Sequence, residues 1–260
     1  MAWCRAGLDL GCPLPAGNHA DRTLFGGQRG VNAPIWHLYP GADSLADALA
    51  QAIARMAVEA IAARGAFHLV LAGGRTPAAA YALLPQYGDQ WQSWHLYLGD
   101  ERCLAPADPE RNSHYLTAQP GLGQVPIPLR HRHGIPAELG AEQAALRYAS
   151  ILPPHPFDLV LLGMGEDGHC ASLFPGQEEA FADNAPTVLP VHQSSKPPVD
   201  RVTLSAARLR QTHALFFLVT GANKAPAIAR WRQGEDLPAA RVGSSGAQVW
   251  IDAEAWGTGS

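Results

Sequence analysis

The sequence predicts a doubly wound α/β fold, with a mainly parallel sheet and helices on both faces. Short apolar runs recur along the chain without polar alternation, as strands buried on both sides require. Segments of helical periodicity separate them, which builds a parallel sheet through crossover connections. Glycine and charged clusters directly follow several of the runs, at the strand ends where open α/β sheets bind ligands.

Residues 1–33 are rich in Gly, Pro, Asn and Arg, lack apolar periodicity, and are expected to form a poorly ordered extension. Residues 34–260 are expected to form a single domain. "IWHLY" at Ile35 reads as its first strand, with Ser44 as N-cap of a helix from Leu45 to Arg64. Leu45, Leu49, Ile53, Met56, Ala60 and Ile61 share one face of that helix. "HLVLA" (68–72) is the next strand, broken by Gly73 and Gly74, after which Thr76 and Pro77 suit an N-cap and a first helical position.

"WHLYL" (94–98), "FDLVLL" (157–162) and "HALFFLV" (213–219) continue the strand series, and Asn223 offers a cap for the helix that follows. "TVLPVH" (187–192), "RVTLS" (201–205) and "QVWID" (248–252) are weaker strand patterns. Residues 120–136 hold too many prolines and glycines for regular structure and read as a long surface connection.

A net charge of −4 supplies no global field for nucleic acid, so a small-molecule partner is expected. Cys4, Cys12, Cys103 and Cys170 form no C-x-x-C pair, which disfavours structural zinc and a disulfide framework. No apolar run approaches the roughly 18 residues of a membrane span, and the N-terminus lacks a secretory signal pattern; a cytoplasmic protein is expected.

Four segments gather polar residues at strand ends. Gly73, Gly74, Arg75 and Thr76 make a tight turn into a helix start, whose N–H groups and dipole favour an anion. Asp100, Glu101 and Arg102 follow the strand at 94–98, and Gly221 to Lys224 follow the strand at 213–219. Arg201 opens a strand after "SSKPPVD", with a guanidinium suited to phosphate.

The fourth segment, "GMGEDGH", spaces Gly163, Gly165 and Gly168 as a dinucleotide fingerprint does. That reading fails on charge, because Glu166 and Asp167 occupy the turn where a pyrophosphate would sit. It also fails on the absent carboxylate after the following strand pattern. The alternative makes Asp167, Gly168 and His169 the functional part, with the imidazole as a base oriented by a carboxylate.

"LAGGRTPAAAYALL", "LGDERCLAPADPERNS", "FDLVLLGMGEDGHCASLFPG", "SKPPVDRVTLSAARL" and "LFFLVTGANKA" occur in this order. Together they resemble the 6-phosphogluconolactonase family of the glucosamine/galactosamine-6-phosphate isomerase-like superfamily, from about Ile35 to Trp256. The resemblance implies a sugar-phosphate-isomerase-like fold and hydrolysis of 6-phospho-D-glucono-1,5-lactone to 6-phospho-D-gluconate in the oxidative branch of the pentose phosphate pathway. It implies no organic cofactor and no required metal, with a phosphorylated sugar lactone as the partner and a monomer or weak homo-oligomer as the working unit. By position, His169 resembles the general base, with Asp167 beside it. Gly73, Gly74, Arg75, Thr76, Asp100, Arg102, Gly165, Gly168, Arg201 and Lys224 fall where such a site binds substrate and its phosphate. Arg75 stands where many relatives have serine, and Cys170 where threonine is common.

Two alternatives share the fold. A hexosamine-phosphate isomerase-deaminase reads D-E-Y and "FNEP" where this chain has Asp-Glu-Arg and "SLFP". A non-catalytic sugar-phosphate sensor of a transcriptional regulator needs a DNA-reading module, and the first 33 residues carry no helix-turn-helix pattern.

Overall fold

The computed structural model describes residues 33–118, 120–192, 194–244 and 246–258. The expected N-terminal extension, with Cys4 and Cys12, lies outside the described residues apart from residue 33.

The chain enters through β1 (Ile35–Tyr39), α1 (Ala42–Arg64), β2 (Phe67–Leu71), α2 (Arg75–Tyr87) and β3 (Trp94–Leu98). After β4 (Asp100–Arg102) and β5 (Arg132–His133) come α3 (Ala141–Ile151), β6 (Phe157–Gly163), β7 (Val188–Val191) and β8 (Arg201–Leu204). Helix α4 (Ala206–Arg210), β9 (Thr212–Val219), α5 (Ala225–Arg232), α6 (Pro238–Gly243), β10 (Gln248–Asp252) and α7 (Ala253–Trp256) complete it.

Among the described residues, seven strands form one sheet in the order β1-β10-β9-β6-β2-β3-β5, every neighbouring pair parallel. Phe157–Leu162 of β6 and Leu215–Val219 of β9 are buried without alternation, so both faces of the central strands are covered. Opposite parities meet different neighbours: Phe217 packs edge-on against Trp231 of α5, whereas Phe216 packs on Trp250 of β10. Leu45, Leu49 and Ile53 of α1 are fully buried, as the helical face read from sequence requires.

A second sheet, β4-β8-β7, is antiparallel. Its first strand was not expected as a strand: past Gly99, the chain of β3 continues as β4 and pairs Asp100, Glu101 and Arg102 with Thr203, Val202 and Arg201. Partner strand β8, not local sequence, makes those charged residues extended.

Three further expectations change. Gly41 rather than Ser44 caps α1, with Ser44 in the first turn bonding back to Gly41 through its hydroxyl. Helix α2 begins at Arg75 with Gly74 as its cap, one residue before Thr76. Residues 120–136 are not merely superficial, because Leu122, Val125, Ile127 and Ile135 are buried and Arg132–His133 adds an edge strand. Apolar residues spaced irregularly among prolines anchor this connection without any periodicity to reveal it.

Candidate active site

The order β9-β6-β2 sets three loops side by side at the carboxyl ends of the strands, with β6 in the middle. From β6 the chain turns through Met164 to His169. His169 Nδ1 lies 2.5 Å from Asp167 Oδ1. A carboxylate only accepts, so the proton sits on Nδ1 and the lone pair on Nε2. Burial opposes the charge on Asp167, but its side-chain and backbone hydrogen bonds with His169 and the electrostatic pull of that side chain prevail and hold its carboxyl well below the usual range.

Gly165 makes this arrangement possible. A Cβ there would overlap His169 Nδ1 and Cε1 and Asp167 Oδ1, so the pair rests on bare backbone. Gly168 adopts φ +86°, a left-handed conformation that favours glycine, and its carbonyl accepts from Ala239 N–H. The turn also uses its own donors: Gly165 N–H bonds His169 O and Gly168 N–H bonds Gly165 O.

The Gly73–Gly74 turn after β2 leads into α2, where the first-turn N–H groups lack intrahelical acceptors. Gly74 N–H is taken by the Tyr115 hydroxyl at 3.1 Å, which leaves the helix start at Arg75 and Thr76 as the part of this turn with N–H groups to offer. Thr76 Oγ1 lies 2.6 Å from Thr220 Oγ1, joining this turn to the loop after β9. In that loop, burial draws the Lys224 ammonium below the ordinary lysine value. Glu166 and Asp167 oppose the shift, whereas the charges of Lys196 and Arg75 reinforce it. Lys224 therefore stands within electrostatic reach of four charged groups from three other segments along this rim.

On the other side of His169, its ring packs 4.7 Å from the Phe174 ring, and the Arg201 guanidinium lies 5.6 Å from the centroid of Phe174. Arg201 spends Nε and one Nη on the carbonyls of Lys196, Pro197 and Pro198, which shapes the loop carrying Lys196. Arg102, its register partner in β4, donates to the Glu110 carbonyl. Arg102 Nε is buried with no partner among the described residues. Asp100 is 9% exposed, and both of its carboxylate oxygens are occupied: Asn112 Nδ2 donates at 2.9 Å and Ser172 Oγ at 2.6 Å.

Sequence reasoning passed over Lys196, although it stands in a quoted motif, and Phe174, Asn112 and Ser172, whose contacts are tertiary. Asn223, expected as a helix cap, instead donates to Glu166 Oε1 at 2.7 Å and ties the loop after β9 to the turn of His169. Among the described residues no group of His, Cys, Asp and Glu is arranged to hold a metal ion, and no helix is long and apolar enough to cross a membrane.

Residues 40–250 match the family described as glucosamine-6-phosphate isomerases/6-phosphogluconolactonase. The chain is 34% identical over 232 residues to the 6-phosphogluconolactonase of Mycobacterium tuberculosis, covering 82% of this chain and 93% of that protein. It is 36% identical over 204 residues to the GDH/6PGL endoplasmic bifunctional protein of Oryctolagus cuniculus, covering 74% of this chain but spanning only 25% of that longer relative. The crystal structure of 6-phosphogluconolactonase from Thermotoga maritima superposes with a TM-score of 0.75 at 26% identity, covering 85% of this chain and 99% of that one. With a family match across most of its length and a relative above 30% identity aligned nearly end to end, this chain belongs to the glucosamine-6-phosphate isomerase/6-phosphogluconolactonase family.

Proposed function

We propose that this chain hydrolyses 6-phospho-D-glucono-1,5-lactone to 6-phospho-D-gluconate, with His169 as general base and Arg75, Thr76, Lys196 and Lys224 as the phosphate anchor. The observation that carries the reading is the His169–Asp167 pair, 2.5 Å apart on the Gly165 turn at the end of β6, flanked by the loops after β2 and β9 that bear Arg75 and Lys224. Similarity to relatives named as 6-phosphogluconolactonases supports the choice of substrate.

In this reading, His169 Nε2 takes a proton from the attacking water and returns it to the ring oxygen as the carbonyl carbon–oxygen bond of the lactone breaks. Asp167 holds the imidazole in the required tautomer and stabilises the imidazolium formed between the two steps. Negative charge gathers on the carbonyl oxygen. Gly165 and Gly168 have spent their N–H groups within the turn, so neither donates to that oxyanion. The dianionic phosphate relieves repulsion among Arg75, Lys196 and Lys224, and its binding energy orients a carbonyl several bonds away. Arg201 shapes the Lys196 loop, while Gly73 and Gly74 allow the close backbone approach at the turn.

The same reading takes residues 34–260 as one domain, supported by a sheet whose edge strand begins at Ile35 and whose last strand ends at Asp252. It expects a cytoplasmic enzyme with no organic cofactor and no required metal. The test is initial-rate hydrolysis of the phosphorylated lactone beside unphosphorylated gluconolactone. A kcat/KM advantage of at least about 10²-fold for the phosphorylated substrate is expected, the value of one or two charge-assisted contacts. Equal efficiency would overturn the anchor, and absence of hydrolysis would overturn the reading.

A further inference from the structure

The segment Asn112–Leu116 is a single short turn that contacts both Asp100 and the Gly73–Gly74 turn. Asn112 is buried, and its Nδ2 donates both to the Asp100 carbonyl at 3.0 Å and to Asp100 Oδ1 at 2.9 Å. Its Oδ1 lies so close over Gly73 that any Cβ at that position would overlap it. Three residues on, Tyr115 accepts from Gly74 N–H at 3.1 Å. The turn is itself anchored from below: Glu101, fully buried, accepts from the N–H groups of Asn112 and Ser113 at 2.7 Å each.

The second oxygen of Asp100 reaches the other half of the site. Ser172 is fully buried, donates to Asp100 Oδ2 at 2.6 Å, and lies three residues beyond His169 in the same loop. One carboxylate is therefore shared between a residue packed on the anion-binding turn and a residue of the base-bearing loop. Both of its carboxylate oxygens are committed to Asn112 and Ser172, and a carboxylate has no donor to offer a phosphate oxygen, so binding a phosphate is not its role.

We infer that Asp100, Asn112 and Ser172 form a positioning clamp that fixes the separation between the phosphate anchor and His169, and so converts phosphate binding into rate at the lactone carbon. The inference rests on the lactonase reading above. Its physical basis is that remote binding energy accelerates chemistry only across a rigid link. A loosened link leaves the phosphate bound and the carbonyl misaligned.

The clamp predicts a separation of kinetic constants that a residue acting in proton transfer or a general loss of stability would not give. For Ser172→Ala, which removes one hydroxyl with almost no change of volume, kcat on the phosphorylated lactone is expected to fall about tenfold. KM and the affinity for the product 6-phosphogluconate stay within about twofold. The kcat/KM preference for phosphorylated over unphosphorylated lactone is expected to shrink about tenfold with them, since only the phosphorylated substrate uses the link. Asn112→Ser, acting on the other oxygen of Asp100, is expected to shrink the same ratio, and the two together to cost less than the product of their separate effects. An unchanged preference in both folded variants, whether activity is retained or lost equally on both substrates, overturns the clamp. Failure of the wild-type protein to favour the phosphorylated lactone overturns the functional reading instead, and the clamp with it.

Discussion

The imidazole of His169 and the backbone of Gly165 are in direct contact: Nδ1 of the histidine and Oδ1 of Asp167, 2.5 Å apart, lie where a Cβ on Gly165 would be. The glycine spacing of this turn therefore seats the His169–Asp167 pair, the proposed base and its partner. Gly165→Ala forces the imidazole off its carboxylate, and kcat is expected to fall about 10²-fold, the cost of an ångström-scale misplacement. Steady-state kinetics on the folded variant check this, with near-native kcat as the contrary result.

Asp167→Asn keeps the size of the side chain and removes its charge. The imidazolium formed during turnover then loses its partner, and kcat is expected to fall by about 10²-fold or more with little change in KM. Rates within about twofold of the parent would show that the carboxylate plays no part in the proton transfer.

Lys224 and Arg75 act on each other electrostatically across the rim from opposite sides of β6. Replacing either by alanine removes a charge-assisted contact worth about 1.5–3 kcal/mol, so kcat/KM on the phosphorylated lactone is expected to fall about ten- to hundredfold. The variant and wild type are compared on unphosphorylated gluconolactone in parallel. An equal fall on both substrates would remove these residues from the phosphate anchor.

Stability carries its own pH dependence, set far from this rim. His68 of β2 stacks on His95 of β3 at 4.7 Å, and His95 on His131 at 3.9 Å, with His133 and His155 alongside. Burial first, and then the neighbouring imidazoles, push His68 and His95 down to about 4; Asp158 beside His68 opposes the shift, while Arg130 near His95 adds to it. These groups stay neutral in the folded chain while the unfolded chain takes up protons, so stability is complete above about pH 6.5 and is lost as pH falls toward 4. Thermal unfolding between pH 7 and 4 should show a steep fall in Tm that His95→Gln makes shallower. Parallel profiles would contradict the assignment.

Much of this site was legible because its residues follow strands that announce themselves. "WHLYL", a continuous apolar run, and "QVWID", one of the weaker patterns, are both strands over the residues read from sequence. Asp167, His169, Arg75 and Lys224 could be picked out because each stands directly after such a run. The helix starts at Arg75, two residues before the expected Pro77, because Gly74, with φ +108°, ends the turn before Thr76 is reached. What stayed hidden depends on contacts between distant segments. Strand β4 exists only through its pairing with β8, Asn112 acts through Gly73 and Asp100, and Lys196 reaches the rim on a loop held by Arg201. None of these leaves a periodic trace in its own neighbourhood.

His169, the proposed base of a pocket that binds the substrate by its phosphate, is tested most directly by His169→Ala. Hydrolysis of 6-phosphogluconolactone is expected to fall by about 10²-fold or more, the usual loss of general-base help, while 6-phosphogluconate still binds with an affinity within a few fold of the parent. Turnover at the wild-type rate by the folded variant would contradict it.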